Sequence, residues 1–172
     1  MMAALENKID FVMVFTVNGA NPNGDPLNEN MPRTDYDGYG EISDVCIKRK
    51  IRNRMQDMGC SLFVQANDRI DDAMKSLEDR FGAAFKKDIK DDEVYQESCK
   101  RWIDVRSFGQ VMTFQNRSIG IRGPVSITLA KSLSPIDVIS MQITRSTNGM
   151  SAKGNAARSS DTMGMKHFVE FG

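Results

Sequence analysis

Hydrophobic and polar positions alternate in blocks along the chain, and the period of each block predicts an element. In "KIDFVMVFTVNG", Ile9, Phe11, Met13, Phe15 and Val17 fall on one side, with Val12 and Val14 on the other. Apolar on both faces, this stretch is expected to be a central strand covered on both sides. A polar segment follows over 18–42, broken by Pro22, Gly24, Pro26, Pro32, Gly38 and Gly40, and reads as a long loop. Ile47, Ile51, Met55 and Met58 then recur at helical spacing, with Ser43 or Asp44 as cap and Gly59 as terminator. "CSLFV" reads as a short strand. "NDRIDDAMKSLEDRFGAAF" reads as one amphipathic helix with its stripe on Ile70, Met74, Leu77, Phe81 and Phe85. A further helix is expected over "EVYQESCKRWI", stacking Tyr95, Cys99, Trp102 and Ile103. From Val105 the texture changes to strands: "VRSFGQVMTFQ", "GIRGPVSITLA", "DVISMQITR" and, after a polar loop, "MKHFVEFG". Strand, helix, strand, two helices and several strands make an α+β order rather than a regular βαβ alternation.

Charge sharpens this picture. The formal net charge is zero, yet residues 1–97 carry a balance of −6 and residues 98–172 one of +6. Inside the acidic half, "DVCIKRKIRNR" places Lys48, Arg49, Lys50, Arg52 and Arg54 within seven residues. At roughly 100° per residue, these cations flank the apolar stripe of the predicted helix. Like charges at i,i+4 (Lys48/Arg52 and Lys50/Arg54) repel unless an anion intervenes. A solvated helix face is one reading. A phosphodiester backbone with its regular negative charge explains the density better. Asn21, Asn23 and Asn30 in the preceding loop suit phosphate or sugar contacts.

The remaining chemistry narrows the classes. One histidine, His167, and three scattered cysteines give neither zinc spacing nor a disulfide framework. With no signal sequence read at the start, a cytoplasmic location is expected, and no apolar run is long enough to span a membrane. No phosphate-binding glycine motif occurs, so no cofactor is expected. Asp25, Asp35, Asp37 and Glu41 could in principle hold a divalent ion, but acids in a Gly/Pro loop are ordinary turn formers. "RSFGQVMTF" partly overlaps an RNA-recognition pattern through Arg106, Phe108, Gly109 and Val111. Ser107, Gly109 and Gln110 suit a site of close backbone approach by a ligand. The loop 145–166 holds Arg145, Lys153, Arg158 and Lys166 against Asp161, and reads either as a connector or as a basic arm.

Taken in order, "NPNGDP", "MPR", "DVCIKRKIRN", "DVRSFGQVMTF", "IRGPV", "SPI", "ITR" and "MGMKHFV" resemble the repeated backbone subunit of type I-C CRISPR surveillance complexes (Cascade). The resemblance runs from about Lys8 to the last residue. It implies an RRM-like (ferredoxin-like) palm in a single domain, with insertions at 18–42, at 65–103 (helical) and at 145–166 (a candidate thumb). It further implies a non-catalytic subunit that polymerises with other copies of itself along CRISPR RNA, meets target DNA through the guide and joins other Cascade subunits. Carried over, Lys48, Arg49, Lys50, Arg52 and Arg54 would hold guide phosphates. Arg106, Ser107, Gln110 and Arg122 would approach the guide, with Asn21, Asn23, Arg145 and Lys166 beside it and Met163 as a wedge. Family members continue past the position of Gly172, so the expected palm lacks a later helix and strand. The rival expectation is a metal-dependent endoribonuclease using Asp25, Asp35 or Asp37, as in related backbone subunits of type III complexes.

Overall fold

The computed structural model describes residues 6–144 and 163–172. Helices and strands are mixed, in two compact units: Met1–Ile42 with Lys131–Gly172, and Ser43–Ala130.

The first unit is built on strands. β1 (Asn18–Ala20), β9 (Met163–Phe171) and β8 (Val138–Thr144) form an antiparallel sheet in the order β1-β9-β8. Asn18 lies opposite Phe171, and Val138 opposite Val169. The segment expected to be one long loop is instead folded into short ribbons. β2 (Gly24–Asp25) pairs with β3 (Met31–Pro32), and β4 (Tyr39–Ile42) pairs with β7 (Ala130–Pro135). Turn chemistry does this work. The Asp25 carbonyl accepts the backbone N–H groups of Asn28 and Asn30, and Glu29 and Asn30 take positive φ between the two strands.

The expected central strand over 9–17 is the largest departure. Residues 9–17 carry no regular structure, and pairing begins only at Val17, which exchanges two hydrogen bonds with Gly172. The apolar pattern is present, but no described strand lies beside it, and a strand without a partner forms no ladder.

The second unit carries the core. α1 (Asp44–Asp57) starts where Ser43 accepts the N–H of Cys46 and ends before Gly59 at φ 79. "CSLFV" is no strand, yet Leu62 and Phe63 are fully buried. The expected single helix over 67–85 is broken into a 3₁₀ turn (Asn67–Arg69) and α2 (Leu77–Ala84). Asp72 accepts the N–H of Met74, Ala73 takes positive φ, and Ser76 caps α2 through the N–H of Asp79. Short polar side chains that bond the backbone locally outcompete helix propagation here. α3 (Asp91–Arg101) buries Val94 and Ser98, one turn apart, rather than Tyr95, which stays exposed. Val105 to Phe108 belong to α4 (Ile103–Phe108), not to a strand; pairing starts after Gly109, with β5 (Gln110–Met112) against β6 (Ile119–Ile121). Phe63, Phe81, Phe85, Trp102, Val105 and Met112 fill the core, where Trp102 meets the Phe63 ring at 4.6 Å and Phe85 edge-on at 5.8 Å.

Candidate nucleic-acid interface

The basic helix α1 divides its cations between two tasks. Its side at Arg49, Arg52, Asn53 and Gln56 faces the rest of its own unit. Arg52 Nε donates to Asp104 at 3.2 Å, and its guanidinium lies 5.0 Å over the Phe108 ring. Asp104 is fully buried and also accepts the backbone N–H groups of Phe63 (2.9 Å) and Val64 (3.0 Å). Arg49 donates to the Val64 carbonyl at 2.9 Å; its Nε is buried without a partner, and burial pushes the guanidinium pKa down. Gln56 bonds the Arg69 carbonyl and Asp71, while Arg69 reaches back to Asp57 and the Asn53 carbonyl. The helix is therefore tied down largely through polar groups. Of the predicted apolar stripe only Ile47 is buried, Ile51 and Met55 are half-buried, and Met58 is 68% exposed.

Lys48 sits 3.0 Å from Asp44, one turn earlier, and its hydrogen bond holds the Asp44 carboxyl below the usual range. Lys50 and Arg54 differ. Four residues apart, they are exposed, and neither has an acidic partner among the described residues. Arg106 on α4 and Arg122 after β6 share that condition within the same unit.

Around Ser107, Gly109 and Gln110 the structure shows close packing of the chain on itself. Gly109 has φ 77, and a Cβ there would meet the Ile121 carbonyl at 2.4 Å. A Cβ on Gly123 would lie 2.2 Å from the Ser107 carbonyl oxygen, which accepts the Val125 N–H at 2.9 Å. The backbone that approaches this glycine pair is the chain's own. Gln110 bonds the Val111 carbonyl at 3.0 Å.

In the first unit, Asn21 donates to the Asn30 carbonyl at 2.6 Å and keeps its Oδ1 buried without a partner, while Asn23 donates to the Gly24 carbonyl at 3.4 Å. Both help hold the β2–β3 turn. Lys166 is exposed on β9, its ammonium 5.5 Å over the Phe168 ring. Met163 opens β9, but its side chain is outside what is described; Arg145, Lys153 and Arg158 lie outside the described residues altogether. Two of the loop acids, Asp25 and Asp35, are engaged. Asp25 accepts the Leu27 N–H and pairs with Arg33 at 3.2 Å. Asp35 accepts the N–H groups of Asp37 and Tyr39, and the Lys131 ammonium beside it holds its carboxyl below the usual range. Among the described residues, no three or more His, Cys, Asp or Glu gather as a metal site requires, and no helix is long and apolar enough to cross a membrane.

Sequence reasoning missed Asp104. Its signal was faint: a single acid inside the apolar "WIDV", where a carboxylate persists only if several donors converge on it.

Fold and surface define a mixed helix–strand protein in which one strongly basic helix is half structural and half free to meet an anion. A family model described as "CRISPR-associated protein Cas7" matches residues 7–172, and the chain belongs to this family. It is 30% identical over 151 residues to a CRISPR-associated protein Cas7 of Haloferax volcanii, a match that takes in 76% of this chain. The chain spans 44% of the length of that relative.

Proposed function

We propose that the chain acts as a non-catalytic, guide-RNA-binding backbone subunit of a type I-C CRISPR surveillance complex. In this reading, copies assemble head to tail along CRISPR RNA, contact other Cascade subunits and present the guide for pairing with target DNA. A heterologous interface between identical copies generates such open assemblies. The palm is of RRM-like type. Cas7 membership over residues 7–172 supports the reading, and one local observation carries the RNA contact. Lys50 and Arg54, an i,i+4 pair that repels itself, stay exposed with no acidic partner among the described residues, while their neighbours are bound to carboxylates or carbonyls. An RNA backbone relieves that repulsion and releases counterions. Contacts to phosphate position a strand without reading its bases, so binding is independent of sequence. Arg106 and Arg122 extend the same role; Lys48, Arg49 and Arg52 serve chiefly to hold the helix in place. The endoribonuclease reading is not favoured: one oxygen of Asp25 and both of Asp35 are engaged in turns and ion pairs, and Asp37 gathers with no cluster of three or more metal-ligating residues among the described residues.

The test is fluorescence anisotropy with labelled single-stranded RNAs of unrelated sequence, titrated across salt. Replacing Lys50 and Arg54 together by Ala should weaken binding to every RNA alike. It should lower the slope of log K against log salt by up to about 1.4, at about 0.7 per lost phosphate contact. Between about 50 and 200 mM salt the fall in affinity should then shrink by about sevenfold. An unchanged slope removes these two residues from the interface.

A further inference from the structure

We propose that a cavity in the Ser43–Ala130 unit, between the end of α1, α2 and the α3–α4 junction, binds a small zwitterion: an ammonium group and a carboxylate joined by an aliphatic stem. The inference goes beyond RNA binding and does not depend on it.

The cavity has a volume of about 370 Å³, within the range of small-molecule sites. A chain turn opens it. Gly59, at φ 79, leads the chain out of α1, and the Ser61 carbonyl then accepts the Ile103 N–H at 3.2 Å. Leu62 and Trp102, 1% and 2% exposed, form an apolar floor together with Met74 and Ala84.

Charged side chains stand around that floor, and they do not all cancel. Arg80 is buried and spent: it bonds Asp72 and the carbonyls of Phe63 and Met74. Asp71 is different. Its two oxygens accept from the amides of Gln56 (3.0 Å) and Gln65 (2.7 Å), and its own N–H donates to Gln65 Oε1 at 3.1 Å. Both side-chain donors are neutral, and among the described residues no lysine or arginine lies within ion-pair distance of Asp71, whereas Asp57, Asp72 and Asp104 of the same unit each meet an arginine. The amides thus fix the carboxylate without neutralising it, and each oxygen keeps a further lone pair for a cation. Arg101 presents the opposite case. Its guanidinium lies 5.6 Å over the Trp102 ring, exposed, with no acidic partner among the described residues.

The occupant follows from this arrangement. A cation alone leaves Arg101 unmatched, an anion alone leaves Asp71 unmatched, and an apolar molecule serves neither. A molecule with an ammonium group for Asp71, a carboxylate for Arg101 and a stem for Leu62 and Trp102 matches all three, and both polar contacts are charge-assisted. A free amino acid and the lysine end of a polypeptide share this chemistry.

The test titrates the 172-residue chain with 6-aminohexanoate and follows binding by saturation-transfer NMR of the ligand. Saturation with a Kd of about 1 mM is expected for a molecule of this size. Hexylamine and hexanoate, with one charge each, should bind about tenfold more weakly or worse. Asp71→Asn and Arg101→Gln should each weaken 6-aminohexanoate by about tenfold. Both sites are exposed, so the melting temperatures should stay within a few degrees of the parent's. N-acetyl-lysine and free lysine separate the sources: tighter binding of the first assigns the site to a polypeptide end, tighter binding of the second to a free amino acid. Absence of saturation up to about 50 mM 6-aminohexanoate overturns the proposal. So does hexylamine or hexanoate binding as tightly as the zwitterion, or an unchanged affinity in either variant.

Discussion

Replacing Arg52 by Ala tests whether the basic helix is anchored by its own cations. The Arg52 side chain is 13% exposed and the Asp104 carboxylate it meets is fully buried. Removing one partner of such a pair costs about 3–5 kcal/mol, because the other charge is left in a poorly solvated place. Asp104 would keep its bonds to the N–H groups of Phe63 and Val64, which pulls the cost toward the lower end. Loss of the contact over Phe108 adds about 0.5–1 kcal/mol. The expected total is about 3–4 kcal/mol. For a unit of roughly 90 residues this lowers the melting temperature by roughly 15–30 °C. Differential scanning calorimetry measures it. The Lys50→Ala/Arg54→Ala protein serves as the comparison: exposed changes of this kind stay within about 0.5 kcal/mol per site, so its melting temperature should move by only a few degrees while RNA affinity falls. If Arg52→Ala melts with the parent protein and loses RNA instead, the division between anchoring and contacting cations is wrong.

Other outcomes follow from the same geometry. Arg80 hydrogen-bonds Asp72 and holds its carboxyl below the usual range. A carboxyl depressed on folding stabilises above about pH 4, and that contribution is lost as pH falls through its folded value. The acid limb of a pH–stability profile, measured by urea titration, should therefore be shallower in Asp72→Asn than in the parent. Gly123→Ala would drive a Cβ into the Ser107 carbonyl and the Gly109 amide, both backbone. It should cost about 1–3 kcal/mol in urea unfolding, and a neutral result would mean the backbones part easily. Ser76→Ala removes the acceptor for the Asp79 N–H at the start of α2 and should cost about 1 kcal/mol. Unaltered exchange of the first α2 amides would count against that cap.

The sequence carried the start and end of α1 because Ser43 and Gly59 are local signals that bond or bend their immediate neighbours. It did not carry which side of α1 is fastened. Apolar periodicity pointed to Ile47 through Met58, whereas the fastening comes from Asp104, Val64 and Arg69, up to 52 residues away. The split at Asp72 and Ser76 was written in capping residues, but the apolar stripe across 70–85 masked it. "RSF" was read as strand from its aromatic neighbours; only the positive φ of Gly109 marks it as a helix end. The exposed state of 9–17 could not be read at all, since a strand's pattern records the company it is suited to and not whether that company is present.

Trp102 is the chain's sole tryptophan, and it sits enclosed among Phe63 and Phe85 in the Ser43–Ala130 unit. Indole emission consequently watches that half of the molecule alone, while tyrosine is shared between the halves, Tyr36 and Tyr39 in one and Tyr95 in the other. Loss of the Ser43–Ala130 half can thus be recorded by itself, without attaching a dye.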